Sequence, residues 1–282
     1  MRILITGATG FVGSNLVSEL LSRNHSVIAV ARDISRARKL PWFDFVTFIN
    51  CDIHENFNKI LNYEPIPDVV VHLAWPGLPN FKDIFHISEN LPADLKFLSA
   101  IIKSGVRHIS VAGTCLEYGI LNGPLTEEMK TYPSTPYGFA KDILRKSLQF
   151  FQKEIPFTLQ WMRLFYLYGE GQNKNSLLPL LDKAIENKEL SFNMSSGRQL
   201  RDYLHINTLA EYYSAVLENP ECNGIINCCS GIPISVYELV IKRCQEKSSN
   251  IKINRDYFPM PDYEPLKYWG VPSKLRSLGI KE

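Results

Sequence analysis

Tyr137 and Lys141 stand four residues apart in the run Pro136-Tyr-Gly-Phe-Ala-Lys141-Asp-Ile-Leu-Arg-Lys-Ser-Leu148. That spacing predicts a helix with both side chains on one face, within reach of each other. An ammonium beside a phenol favours the phenolate, so the pair is suited to proton transfer with a tyrosine pKa drawn toward working pH. A hydroxyl such as Thr114, arriving from a neighbouring strand end, would hydrogen-bond the reacting oxygen. The same Tyr-x-x-x-Lys spacing on a solvated helix face would do nothing, so its meaning depends on what else the chain brings to that place.

The first thirteen residues, Met1-Arg-Ile-Leu-Ile-Thr-Gly-Ala-Thr-Gly-Phe-Val-Gly13, supply a second chemical element. Ile3, Leu4 and Ile5 form a short apolar run, and Val12, Leu16, Val17, Leu20 and Leu21 resume at helical spacing, which predicts strand, tight turn, helix. Gly7 permits the turn, Gly10 lets backbone approach a phosphate, and Gly13 lets the helix pack close to the strand. The helix N-terminus adds free N–H donors and a positive dipole end. Gly7, Thr9, Gly10, Phe11, Val12 and Gly13 are therefore expected to hold the diphosphate of a dinucleotide.

Ser26-Val-Ile-Ala-Val-Ala31 reads as the next strand, ending where such sites place the residue that meets the adenosine ribose. An acidic residue there suits NAD, and an arginine accommodates a 2′-phosphate. Ala31 occupies the acidic position and Arg32 follows, so NADP(H) is favoured, with NAD(H) the alternative and Asp33 a candidate ribose contact. Val46 to Ile49 is a third strand, and Asp52, with Ile53, is expected at the adenine. Asp68-Val-Val-Val-His-Leu-Ala74 is a fourth, nearly all apolar, with His72 expected in the core and Leu73, Ala74 and Trp75-Pro-Gly-Leu-Pro79 at the ligand-binding edge. A helix from Ser88 to Gly105 and a strand from His108 to Thr114 follow.

Composition is that of an ordinary globular protein, with 282 residues, 45% hydrophobic and 21% charged. The net charge of +2 gives no nucleic-acid or membrane footprint, and no apolar run reaches membrane-spanning length. Six cysteines without Cys-x-x-Cys spacing point to reduced thiols and no metal site. A cytoplasmic protein is the expectation, since no signal-like leader precedes the first strand.

Four ordered motifs carry a resemblance that covers nearly the whole chain. Thr6-Gly-Ala-Thr-Gly-Phe-Val-Gly13, Leu73-Ala74, Thr114-Cys-Leu-Glu-Tyr-Gly119 and Tyr137-Gly-Phe-Ala-Lys141 occur in the order seen in the extended short-chain dehydrogenases/reductases, and Arg163 to Gly171 and Arg201-Asp-Tyr-Leu-His205 continue the match. The chain resembles the nucleotide-sugar epimerases, dehydratases and reductases of that family. The resemblance implies an α/β fold, a Rossmann-type doubly wound parallel sheet with a smaller C-terminal mixed α/β lobe. Residues 1–165 would bind the dinucleotide, 166–282 the substrate, and 202–217 would pack back on the first lobe. It also implies that Tyr137 is the general acid/base, that Lys141 holds the nicotinamide ribose and tunes Tyr137, and that Thr114 positions the carbonyl. Arg201 would grip the diphosphate of a nucleotide-sugar substrate, and a homodimer would form through the helices near 88–105 and 136–153.

Departures from the family narrow the activity. Dehydratases follow the triad threonine with Asp-Glu, where this chain has Cys115 and Leu116. Members that epimerise at two carbons before reducing need a cysteine and a histidine where Leu116 and Gly171 stand. Tyr166 replaces a common asparagine, so substrate contacts do not carry over there. By elimination the expectation is NADPH-dependent reduction of a 4-keto-6-deoxy nucleotide sugar, the alternatives being an NAD-dependent 4-epimerase and, from another class, a non-catalytic NADP-binding regulator. The tail from Asn254, with Pro259, Pro261, Pro265 and Pro272 among tyrosines and Trp269, reads as loop-rich chain suited to closing over a sugar.

Overall fold

The computed structural model describes residues 1–259 and 265–280. Pro261 and Tyr263 of the tail therefore lie outside the described residues.

Strands and helices alternate through the first lobe: β1 (Arg2–Thr6), α1 (Phe11–Ser22), β2 (Ser26–Ala31), α2 (Ile34–Ala37), β3 (Thr47–Asn50), α3 (Asn58–Leu61), β4 (Val69–His72), α4 (Leu91–Lys103) and β5 (His108–Thr114). After a turn at Cys115–Tyr118 come β6 (Gly123–Leu125), α5 (Pro136–Glu154), β7 (Thr158–Leu164) and β8 (Tyr166–Tyr168). The remainder is α6 (Leu177–Glu186), β9 (Ser191–Asn193), β10 (Leu200–His205), α7 (Ile206–Glu218), β11 (Gly224–Cys228), β12 (Pro233–Ser235), α8 (Val236–Glu246), β13 (Lys252–Asn254), β14 (Lys267–Gly270) and α9 (Ser273–Ser277).

Seven strands form one sheet in the order β11-β7-β5-β4-β1-β2-β3, every neighbouring pair parallel. The order reverses between β1 and β4, the switch point where doubly wound sheets open a crevice for a ligand. Apolar runs at the centre follow from cover on both faces. Because successive side chains point oppositely, Ile3 and Ile5 enter one core with Leu16 of α1 and Leu209 and Tyr213 of α7, while Leu4 enters the other with Phe97 of α4 and Leu144 of α5. The fold is thus the α/β class expected, and α7, which takes in most of 202–217, packs on α1.

Two strands fall on the other side of the line drawn at residue 165. β11 pairs with β7 as the edge of the large sheet, because Ile226 and Cys228 are buried in the core shared with α1 and α7. β6, which precedes that line, joins the smaller sheet β12-β10-β14-β6. The chain crosses between lobes more than once, and a sequence pattern of isolated short strands carries no sign of which sheet each will join. α6 and α8 cover a separate small core with the β13-β9 pair.

Candidate active site

A cavity of about 830 Å³ opens at the carboxyl edge of the large sheet, over the switch point. It reaches from the turn after β1 to the N-terminal turn of α5 and the chain after β8. Gly7 turns there with φ +70°, and a Cβ on it would lie 2.8 Å from the Ala74 nitrogen. A Cβ on Gly13 would lie 2.3 Å from the Gly7 carbonyl oxygen, so α1 closes on the turn only as glycine. Gly10 caps α1 without a side chain, leaving the first N–H groups of the helix directed at the cavity end that Thr9, Phe11 and Val12 line.

Arg32 and Asp52, at the ends of β2 and β3, face each other with Nη1 and Oδ2 3.4 Å apart, and both line the cavity beside Arg36 and Ile53. Asp33 has a different job from the ribose contact expected of it. Its carboxylate accepts from the Arg36 N–H at 3.0 Å as the N-cap of α2, and it does not line the cavity. Leu73 and Ala74 continue β4 along the floor, where both N–H groups donate to the Thr6 hydroxyl.

Thr114, Tyr137 and Lys141 converge on the same cavity. Thr114 ends β5, and its hydroxyl stands close enough to the Tyr137 phenol to favour the phenolate. Thr135 starts α5 by accepting from the Gly138 N–H at 3.1 Å, which aims the first turn, and Tyr137 with it, at β5. A second anchor is the Tyr137 N–H, which donates to the Phe81 carbonyl at 3.2 Å. The rings of Trp75, Phe81 and His86 lie 5.2–5.8 Å from the Tyr137 ring, centroid to centroid.

The electrostatics differ from the expected lysine-lowered tyrosine. Burial pushes the phenol above its ordinary value, the charge of Glu117 adds to that, and the Thr114 hydrogen bond opposes it. Lys141 places its ammonium over the Trp75 indole, 3.9 Å from the centroid. Burial pulls that ammonium down to about 8, with Asp94 and Glu117 supporting its charge. The cause is desolvation of both groups, which residue spacing does not reveal.

Arg201 lies apart from the rest. It is buried in β10, donates to the Leu200 carbonyl, and its guanidinium stands 5.4 Å from the Tyr166 ring centroid. Tyr166 lines the cavity and Arg201 does not. Glu117, which is not among the residues expected at the site, braces Thr114. Its Oε1 accepts from the Thr114 N–H and from the Trp161 indole, both at 2.8 Å, and its Oε2 accepts from Arg163 Nε at 2.8 Å. The signal was present, since Thr114-Cys-Leu-Glu117 has capping-box spacing, and the box forms.

A family model for the NAD dependent epimerase/dehydratase family matches residues 3–229. The chain belongs to that family. It is an NAD(P)-dependent enzyme, and its relatives include nucleotide-sugar oxidoreductases and epimerases. A dTDP-6-deoxy-L-talose 4-dehydrogenase (NAD(+)) of Aggregatibacter actinomycetemcomitans is 32% identical, over 96% of this chain and 99% of its own length. A dTDP-4-dehydro-6-deoxyglucose reductase of Escherichia coli is 28% identical, over 84% of this chain and 79% of its own. Among solved structures, a UDP-N-acetylglucosamine 4-epimerase of Methanobrevibacter ruminantium M1 superposes with a TM-score of 0.88 at 23% identity, covering 99% of this chain and 92% of the other. That likeness is one of fold.

The residues present fit a bound dinucleotide: the glycine turn leaves no room for a Cβ, the α1 N-terminus is capped by no side chain, and the cavity runs unbroken from Arg32 to Lys141.

Proposed function

We propose that the chain is an oxidoreductase acting at C4 of a nucleotide-linked 6-deoxyhexose, reducing the 4-ketone with NADPH. The observation that carries this reading is the convergence of Thr114, Tyr137 and Lys141 on the wall of the cavity that the glycine turn and Arg32 also line. The bound nicotinamide supplies the hydride. Tyr137 supplies the proton to the ketone oxygen, and burial holds its phenol protonated, the state a donor requires. Thr114 orients that oxygen, and Lys141 holds the nicotinamide ribose. Cys115 and Leu116 put no acid/base pair after Thr114 for removing water from the sugar. The names of the two relatives, a 4-dehydrogenase and a 4-keto reductase, support chemistry at C4 of a 6-deoxy sugar.

NADPH is the reading for the cofactor because Arg32 and Arg36 line the cavity beyond Ala31, and the carboxylate that follows the strand, Asp33, caps α2 instead of lining the cavity where it could hold two ribose hydroxyls. Replacing Arg32 with Ala is expected to weaken NADPH binding roughly tenfold to a hundredfold, the worth of a charge-assisted hydrogen bond, and to leave NADH binding within about twofold. Fluorescence titration with the two cofactors checks this. Equal losses for both would assign NAD(H). Phe139 and Phe150, exposed on α5 and eleven residues apart on one face, support a homodimer through α4 and α5.

The test of the activity is incubation with a panel of nucleotide 4-keto-6-deoxyhexoses and each reduced nicotinamide, followed by mass spectrometry. A product heavier by two hydrogens, formed with stoichiometric loss of NADPH, is expected. A product of unchanged mass with no net cofactor turnover would assign 4-epimerisation instead.

A further inference from the structure

The buried charges that the proton transfer does not use converge on Asp94. This residue of α4 is fully buried, and its two oxygens meet histidines from two different strand ends. Oδ1 accepts from His54 Nε2 at 2.7 Å, and Oδ2 lies 3.0 Å from His72 Nε2, at an angle too oblique for a full hydrogen bond.

The far side of each histidine reaches the dinucleotide site. His54 lines the cavity, and its N–H donates to the Asp52 carboxylate at 2.9 Å. His72 Nδ1 is 2.9 Å from the Thr6 hydroxyl. That hydroxyl already accepts from the Leu73 and Ala74 N–H groups, so its own proton goes to Nδ1 and the His72 ring proton sits on Nε2, toward Asp94.

We propose that Asp94 is a positioning residue of the dinucleotide site: through His54 and His72 it ties the outer wall at Asp52–His54 to the floor at Thr6, Leu73 and Ala74, with its charge turned toward Lys141. A strut of this kind fixes two strand ends that no backbone ladder joins at the cavity, because β3 and β4 are separated by β2 and β1 in the sheet. Its anion is durable. The two histidines hold the Asp94 carboxyl at about 2 in spite of burial, so it remains ionised over the whole working range. The groups that face Lys141 are then Asp94 from α4, Glu117 from the turn after β5, and His86, whose basicity burial lowers and the ammonium lowers further, beside the Trp75 ring. Of the two carboxylates supporting the ammonium, Asp94 is the one that acts more strongly.

The place of Lys141 at the nicotinamide rests on the function proposed above, but the test needs no sugar and no turnover, so failure of that reaction leaves it intact. Lysine is labelled with ¹³C at Cε, and the Lys141 signal is assigned by its loss in Lys141→Met. In Asp94→Asn the Lys141 titration midpoint is expected to fall by about one pH unit, since a supporting anion has been removed. NADPH and NADH affinity, read by fluorescence titration, is expected to fall about tenfold, and Asp94→Glu is expected to restore the midpoint. An unmoved Lys141 midpoint in folded Asp94→Asn overturns the proposal, even where affinity is lost, because that pattern belongs to a purely structural aspartate. If Asp94→Asn does not fold, two measurements decide. Asp94 of the unaltered protein, labelled at Cγ, is expected to be ionised at neutral pH, and His54→Ala is expected to weaken NADPH binding severalfold. A protonated Asp94, or unchanged binding in His54→Ala, overturns it.

Discussion

Tyr137→Phe is expected to lower kcat by roughly 10²–10⁴-fold while KM and cofactor affinity stay within about threefold, because the variant loses only the group that moves the proton. The ring itself is held by Trp75, Phe81 and His86, and the backbone by the Phe81 carbonyl, so phenylalanine fills the same space. What disappears is one hydroxyl and its interaction with the Thr114 side chain. Stopped-flow and steady-state kinetics with a 4-keto nucleotide sugar measure the loss, and NADPH titration shows that the site is still assembled. Burial raises the phenol, so it stays protonated on the alkaline side of neutrality, and the first group to titrate there is Lys141, at about 8. The rate is therefore expected to fall as pH rises past about 8, when the ammonium loses its charge, with no matching fall on the acid side from Tyr137. Full biological activity in Tyr137→Phe would instead point to a protein that binds the dinucleotide and transforms nothing.

Local patterns were legible where one stretch of chain performs the whole task. The glycine turn, the strand before it and the helix after it are contiguous, so spacing alone predicts them, and Gly7 and Gly13 meet the close approaches expected of them. The Tyr137–Lys141 helix face is legible for the same reason. Long-range events are not. Nothing near Asp94 in the chain announces that His54 and His72, forty and twenty-two residues earlier, will close on it. The neighbourhood of Arg201, with its guanidinium 5.4 Å from the Tyr166 ring centroid, is likewise set by the route of β10 through the smaller sheet and not by its motif. Asp33 shows competition at short range, because a carboxylate three residues before a free N–H serves as a helix cap before it serves a ligand. β11 crossed to the large sheet because burial of Ile226 and Cys228 is won against β7, and pairing partners of short strands are set by tertiary packing.

Glu117→Ala is expected to be the most destabilising single change near the site, at about 3–5 kcal/mol. The carboxylate is fully buried and satisfies three donors at once: the Thr114 N–H, the Trp161 indole and Arg163 Nε. Removing it strands the Arg163 guanidinium, also fully buried, with the Tyr118 ring 4.3 Å away and Arg145 nearby as a second positive charge. Thermal unfolding should show a loss on the order of 10 °C for a chain of this size. Stability and catalysis separate in the double variant Glu117→Leu with Arg163→Met. Replacing a buried ion pair by apolar groups of similar volume is often near neutral, so most of the lost melting temperature should return. The Thr114 N–H still has no acceptor there, and the hydroxyl that contacts Tyr137 hangs on that residue, so kcat should stay depressed. Recovery of both stability and kcat in the double variant would show that Glu117 serves the core alone and does not hold Thr114 against the phenol.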